Sequence, residues 1–124
     1  MSLKVGDKAP DFTLINREGQ KVSLKNFLNK QVVLLFFPFA NSSVCYEEMC
    51  STRDNLKDYE DLDANVLGIS VDSHYSLKLW AEKLNLNFPL LSDFNRTVIK
   101  DYGVMREGGF AERATFVIDQ QGKI

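Results

Sequence analysis

The two cysteines of this chain, Cys45 and Cys50, lie five positions apart, just after an apolar run at 31–37, a proline at Pro38 and the polar stretch Asn41-Ser42-Ser43. A thiolate rather than a thiol attacks electrophiles, and a free cysteine with pKa about 8.5 is only a few per cent ionised near neutrality. Activation has to come from neighbours. An apolar run closed by Pro38 and followed by capping residues reads as a strand passing into a helix. That sets Cys45 in a first helical turn, where unpaired backbone N–H groups and the helix dipole favour negative charge. The Ser42 and Ser43 hydroxyls can donate hydrogen bonds to such an anion, and a cation brought from elsewhere lowers the pKa further. Arg113, at the start of the apolar run 114–118, is the best cation for the task, although an arginine there also serves as a solvated strand end.

The elements that must position these residues follow from hydropathy patterns. Residues 12–15 and 21–24 flank a turn at Gly19 and predict an N-terminal hairpin. The run 31–37 does not alternate, so it predicts a strand covered on both faces, in the middle of the sheet. Residues 44–59 carry the spacing of an amphipathic helix, with the cysteines on its first turns. A second buried strand is expected at 65–71, and Ser73 then opens a helix with Leu77, Trp80, Ala81 and Leu84 at i, i+3, i+4 and i+7. Residues 88–91 include Pro89 and suit an edge or connecting strand. A third helix is expected over 93–102, ended by Gly103, and a last strand over 113–119. Gln121-Gly122 reads as a turn into Lys123-Ile124, an unfinished hairpin. Strands alternating with helices, partly through crossovers and partly through hairpins, imply an α/β fold: a mixed central sheet flanked by helices, of thioredoxin-like architecture.

Composition narrows the function classes. The 124 residues, 44% hydrophobic, suffice for one domain with a single core. A net charge of −2 without basic clusters gives no electrostatic footprint for nucleic acid. No apolar run approaches the roughly 20 residues of a membrane helix, and residues 1–7 lack a secretory core, so a cytoplasmic protein is expected. Metal binding is disfavoured, because the single histidine, His74, stands far from the cysteines and reads as a solvated residue near a helix start.

The spacing Pro38-x-x-x-Ser42-x-x-Cys45 resembles the active-site signature of the peroxiredoxins. Similarity extends over 6–14, 66–72, 88–93 and 113–119, and within the family it is greatest to the branch of bacterioferritin comigratory protein and alkyl hydroperoxide reductase E. The resemblance implies reduction of hydrogen peroxide and organic hydroperoxides by Cys45 through a sulfenic acid, with no cofactor. In this reading Ser42 hydrogen-bonds thiolate and peroxide, Pro38 shields the sulfur, and Arg113 stabilises the thiolate and polarises the O–O bond. The backbone N–H groups of Val44 and Cys45 complete the oxygen cradle, and Glu48 orients the arginine; alternatively it is an exposed acidic residue of a first helical turn. Cys50 is the resolving thiol, whose disulfide with Cys45 is reduced by thioredoxin or another dithiol; alternatively it is a core thiol. Ser42 stands where threonine is commoner in the family, and Tyr46 where threonine is frequent. The family also implies a monomer or homodimer, and a further strand and C-terminal helix beyond Ile124, so that the single domain 1–124 is expected to be C-terminally truncated.

Two other readings stay open. One is a thiol–disulfide oxidoreductase, against which four residues between the cysteines, rather than two, weigh. The other is a peroxide-sensing module that is oxidised once without turnover. Phe36, Phe37, Phe39 and Phe110 are either a pocket for organic hydroperoxides or plain core.

Overall fold

Residues 32–37 have no polar side to leave in water, and their side chains alternate into two separate apolar clusters. In the computed structural model, which describes residues 3–40 and 43–124 and, within the helix that begins at Ser43, the side chains from Glu47 onward, strand β3 (Gln31–Phe36) sends Val32, Leu34 and Phe36 to one face. Val33, Leu35 and the following Phe37 go to the other. Each such side chain removed from water contributes about 1.5–3 kcal/mol before the entropy of ordering it is subtracted.

The hairpin forms from β1 (Thr13–Asn16) and β2 (Lys21–Ser23), with Gly19 at φ +82° in the turn. After β3 come helices α1 (Ser43–Asp54) and α2 (Leu56–Asp61), strand β4 (Ala64–Ser70), helix α3 (His74–Leu84) and strand β5 (Leu90–Ser92). Helix α4 (Thr97–Asp101), the two-stranded ribbon β6 (Met105–Arg106) with β7 (Phe110–Ala111), and strand β8 (Ala114–Ile118) complete the described chain. The main sheet has the order β2-β1-β5-β4-β3-β8. Strand β4 is parallel to both β3 and β5, whereas β8 and β1 run antiparallel to their neighbours. This is the mixed sheet expected. Helices α1 and α3 cover the face that carries Phe37, Met49, Leu77 and Trp80, and α4 covers the other with Val98 and Ile99.

Four expectations are corrected. Strand β3 is interior but stands one place in from the β8 edge, since β4 and β5 take the centre. Residues 90–92 are therefore not an edge: Pro89 lies just outside the strand, where its missing N–H costs no ladder bond and its carbonyl accepts from Gly68 N at 2.9 Å. The helix expected over 44–59 is broken at Asn55, whose side-chain amide donates to Ser51 O at 2.8 Å and shares that carbonyl with its own backbone N–H at 3.0 Å. The helix expected over 93–102 shrinks to Thr97–Asp101. Arg96 has φ +64°, and the buried Asp93 stays outside the helix, its carboxylate accepting from Val98 N and Ile99 N at 3.2 and 2.8 Å.

One glycine bears directly on what lies downstream of β3. At Gly68 an added Cβ would lie 2.6 Å from Leu90 Cδ2 and 3.4 Å from Phe37 Cε1. The absent side chain lets β4 approach closely and seats the Phe37 ring, which is buried and tilted against Trp80 with centroids 5.5 Å apart. Phe37 is thereby fixed at the residue before Pro38.

Candidate active site

Strand register, which the sequence does not display, brings Arg113 to the end of β3. Phe36 pairs with Ala114 in the β3–β8 ladder, so Arg113 stands level with Phe37, where the chain leaves the sheet toward Pro38 and Cys45. Helix α1 begins at Ser43, which puts the Val44 and Cys45 amides in its first turn, among the N–H groups that lack intrahelical acceptors. Ser42 and the Cys45 side chain lie outside the described residues. The stripe at i, i+3, i+4 and i+7 that starts at position 45 continues with Glu48, Met49 and Thr52. Met49 and Thr52 are buried, and Thr52 Oγ1 donates to Glu48 O at 2.9 Å.

Glu48 is half-buried, and its Oε1 has no hydrogen-bond partner. Burial pushes its carboxyl up from the ordinary value of 4.5, and the Arg113 guanidinium pulls it part of the way back. The two residues, 65 positions apart, thus feel each other's charge across the end of the sheet. The sign of the linkage gives a test. Folded Glu48 holds its proton more tightly than in the unfolded chain, so its contribution to stability is fully present below pH 4.5. That contribution is lost as pH rises through the higher folded value. Glu48→Gln has no charge to desolvate. Its melting temperature, relative to the natural chain and followed by circular dichroism, is expected to gain between pH 4 and pH 7; a difference that shrinks over that interval would show the carboxylate to be net stabilised by Arg113.

Cys50 is a free thiol, half-buried against the cluster of Phe37, Met49 and Trp80. Pro38 is half-buried at the exit from β3. The four phenylalanines divide. Phe36 and Phe37 are wholly buried on opposite faces of the sheet, whereas Phe39, 44% exposed, stacks on Phe110 with ring centroids 5.3 Å apart. Only the latter pair is open to solvent. His74 opens α3, half-buried, its ring 4.0 Å from that of Tyr75, and no group of metal-ligating side chains occurs among the described residues. No helix among them is long and apolar enough to cross a membrane.

Asp72 was not singled out by sequence reasoning. It stands two residues past β4 and accepts from Ala40 N and from Ser70 Oγ, each at 2.7 Å. A lone acidic residue after a strand carries no signal of this. The contact reaches across 32 positions and is created by the parallel pairing of β3 with β4.

Chemically, the described backbone offers a cysteine position in a first helical turn with amides that lack intrahelical acceptors, and a cation, Arg113, whose charge acts on Glu48 one turn farther along. These are the parts needed to hold a thiolate and to accept negative charge developing on a bound oxygen. Comparison with known proteins agrees. The family model described as the AhpC/TSA family matches residues 5–124. Alkyl hydroperoxide reductase E of Mycobacterium tuberculosis is 43% identical over 126 residues, covering 98% of this chain and 82% of the relative. Peroxiredoxin Bcp of Escherichia coli is 39% identical over 129 residues, covering 98% and 83%. The crystal structure of peroxidoxin BcpB from M. tuberculosis superposes with a TM-score of 0.92 at 36% identity, covering 98% of this chain and 82% of that one. The thioredoxin-like expectation for the fold is met.

Proposed function

Because the chain belongs to the AhpC/TSA family, we propose that it is a thiol-dependent peroxidase with Cys45 as the attacking nucleophile. The Cys45 thiolate attacks one oxygen of a hydroperoxide. An S–O bond forms, the O–O bond breaks, and the departing oxygen takes a proton to leave as water or an alcohol. Cys45 becomes a sulfenic acid. The Cys50 thiolate then attacks that sulfur, an S–S bond forms as the S–O bond breaks, and the departing hydroxide takes a proton to leave as water. An external dithiol, such as a thioredoxin, reduces the disulfide by exchange and becomes oxidised in turn.

The observation that supports this reading is the β3–β8 register, which puts Arg113 level with Phe37, the residue before Pro38, together with the electrostatic influence of Arg113 on Glu48. In that position the guanidinium favours the ionised sulfur and stabilises charge on the breaking O–O bond, while Glu48 orients it. Pro38 shields the sulfur from water, and the Ser42 hydroxyl donates to thiolate and peroxide. The Val44 and Cys45 amides complete the cradle.

Resolution by Cys50 imposes a conformational change. Five residues along a helix advance about 7.5 Å and rotate about 140°, so the two Cβ atoms point apart and cannot meet the roughly 3.5–4.5 Å that a disulfide demands. Helix α1 therefore has to unwind in its first turns once Cys45 is oxidised. Peroxide-treated protein, digested without reductant, is expected to yield a Cys45–Cys50 cross-linked peptide by mass spectrometry. Sulfinic acid at Cys45 beside an unmodified Cys50 would remove the resolving role and leave Cys50 a core thiol.

A further inference from the structure

We propose that Asp72 is a positioning residue for this reaction: it latches the segment that carries the chain from β3 into the Cys45 turn, an inference that rests on the peroxidase reading above. The latch is built from three strands. Phe37 N donates to Ile69 O at 3.1 Å as β3 ends. Three residues on, Ala40 N donates to Asp72 Oδ2 at 2.7 Å. Ala40 lies two positions after Pro38 and five before Cys45, so the bond pins the segment between the shielding proline and the helix start.

The acceptor is itself held firmly. Ser70 Oγ donates to the same Asp72 oxygen at 2.7 Å and accepts from Asp72 N at 3.3 Å. The Asp72 carbonyl accepts from Ser92 Oγ at 2.6 Å, and Ser70 and Ser92 are register partners on β4 and β5. Both serines are buried. The Ser70 hydroxyl bonds the Asp72 carboxylate and the Ser92 hydroxyl bonds its carbonyl, so the two aim this side chain and its backbone. A hydrogen bond to an ionised acceptor is roughly twice as strong as a neutral one, which suits a tether that must outlast the local unwinding of α1.

Such a tether acts on geometry rather than on ionisation. Peroxide reduction needs sulfur and both peroxide oxygens nearly in line, and a misplacement of about 1 Å can cost on the order of 10²-fold in rate. The ionisation of Cys45 is assigned above to the helix start and to Arg113, whereas Asp72 bonds Ala40, Ser70 and Ser92. The two effects can be read separately in single-turnover experiments on the whole chain: oxidation of Cys45 by hydrogen peroxide reports alignment and ionisation together, whereas alkylation by iodoacetamide reports ionisation and access.

Asp72→Ala is expected to slow oxidation by about 10- to 100-fold while alkylation stays close to that of the natural chain. Asp72→Asn can place its amide oxygen where Oδ2 stands and is expected to restore most of the oxidation rate. Oxidation undiminished in Asp72→Ala, or oxidation and alkylation falling in the same proportion, would overturn the latch. Should Asp72→Ala fail to fold, Ser70→Ala removes one hydrogen bond that aims the carboxylate and is expected to slow oxidation in the same selective way; an unchanged rate there is equally contrary. A natural chain whose Cys45 reacts with peroxide no faster than free cysteine would remove the peroxidase reading and the latch with it. A fast natural chain matched by Asp72→Ala would remove the latch alone.

Discussion

Cys45→Ser is expected to consume no hydroperoxide beyond the direct reaction of the dithiol reductant, a fall of at least about 10³-fold in turnover. In the proposed mechanism every other group at the site works on this sulfur. The start of α1 supplies N–H groups and a dipole to a negative atom at position 45, and a serine hydroxyl, which stays protonated at neutral pH, gives them nothing to stabilise. Cys50→Ser separates the two thiols. It should keep the first oxidation at its natural rate and consume one equivalent of peroxide, then accumulate sulfenic acid, because nothing remains on the chain to expel the oxygen. If Cys45→Ser retained dithiol-supported turnover while Cys50→Ser lost the first oxidation, the roles of the two cysteines would be reversed.

Arg113→Ala is expected to lower the rate of Cys45 oxidation by roughly 10²-fold, in the range of losing one preorganised donor from an anion-stabilising site. Two effects add: less thiolate at neutral pH, and less stabilisation of charge on the departing oxygen. Arg113→Lys should recover only part of the loss, since an ammonium restores the charge but not the planar fork of donors that can hold a carboxylate and an oxygen together. Arg113 is exposed, so its removal should disturb the fold little, and the Glu48 carboxyl, deprived of the pull the guanidinium exerts on it, should titrate higher still. Stopped-flow oxidation of the three proteins checks this, and equal rates in Arg113→Ala and the natural chain would contradict the role.

Elements whose pattern depends only on near neighbours were legible in the chain. The run 31–37 lacks alternation and its residues 32–37 are covered on both faces, and Leu77, Trp80, Ala81 and Leu84 at helical spacing are all buried. Where long-range partners decide, sequence reasoning erred. Residues 88–91 suited an edge or a connecting strand because of Pro89, yet the place of β5 between β1 and β4 comes from pairings with segments about 22 and 75 positions away. The helix expected from 93 begins only at Thr97 because Asp93 turns inward to bond two amides ahead of it, a choice that nothing in its neighbours announces. At the site, the local run Pro38 to Cys45 and the candidacy of Arg113 could be read directly. That the charge of Arg113 acts on Glu48 depends on β8 pairing with β3 in one register, and the bond of Asp72 to Ala40 on the pairing of β3 with β4. Sequence shows which residues can do the chemistry, and the sheet decides which of them meet.

The central claim is that one sulfur is kept ionised and aligned for attack on peroxide. Stopped-flow mixing of the fully reduced Cys50→Ser chain with hydrogen peroxide tests it most directly, with a sulfenic acid trap to locate the product. Rapid uptake of a single equivalent, far faster than by free cysteine and recovered as one adduct on Cys45, is the predicted result. Oxidation of Cys45 at the sluggish pace of an ordinary thiol would contradict the account.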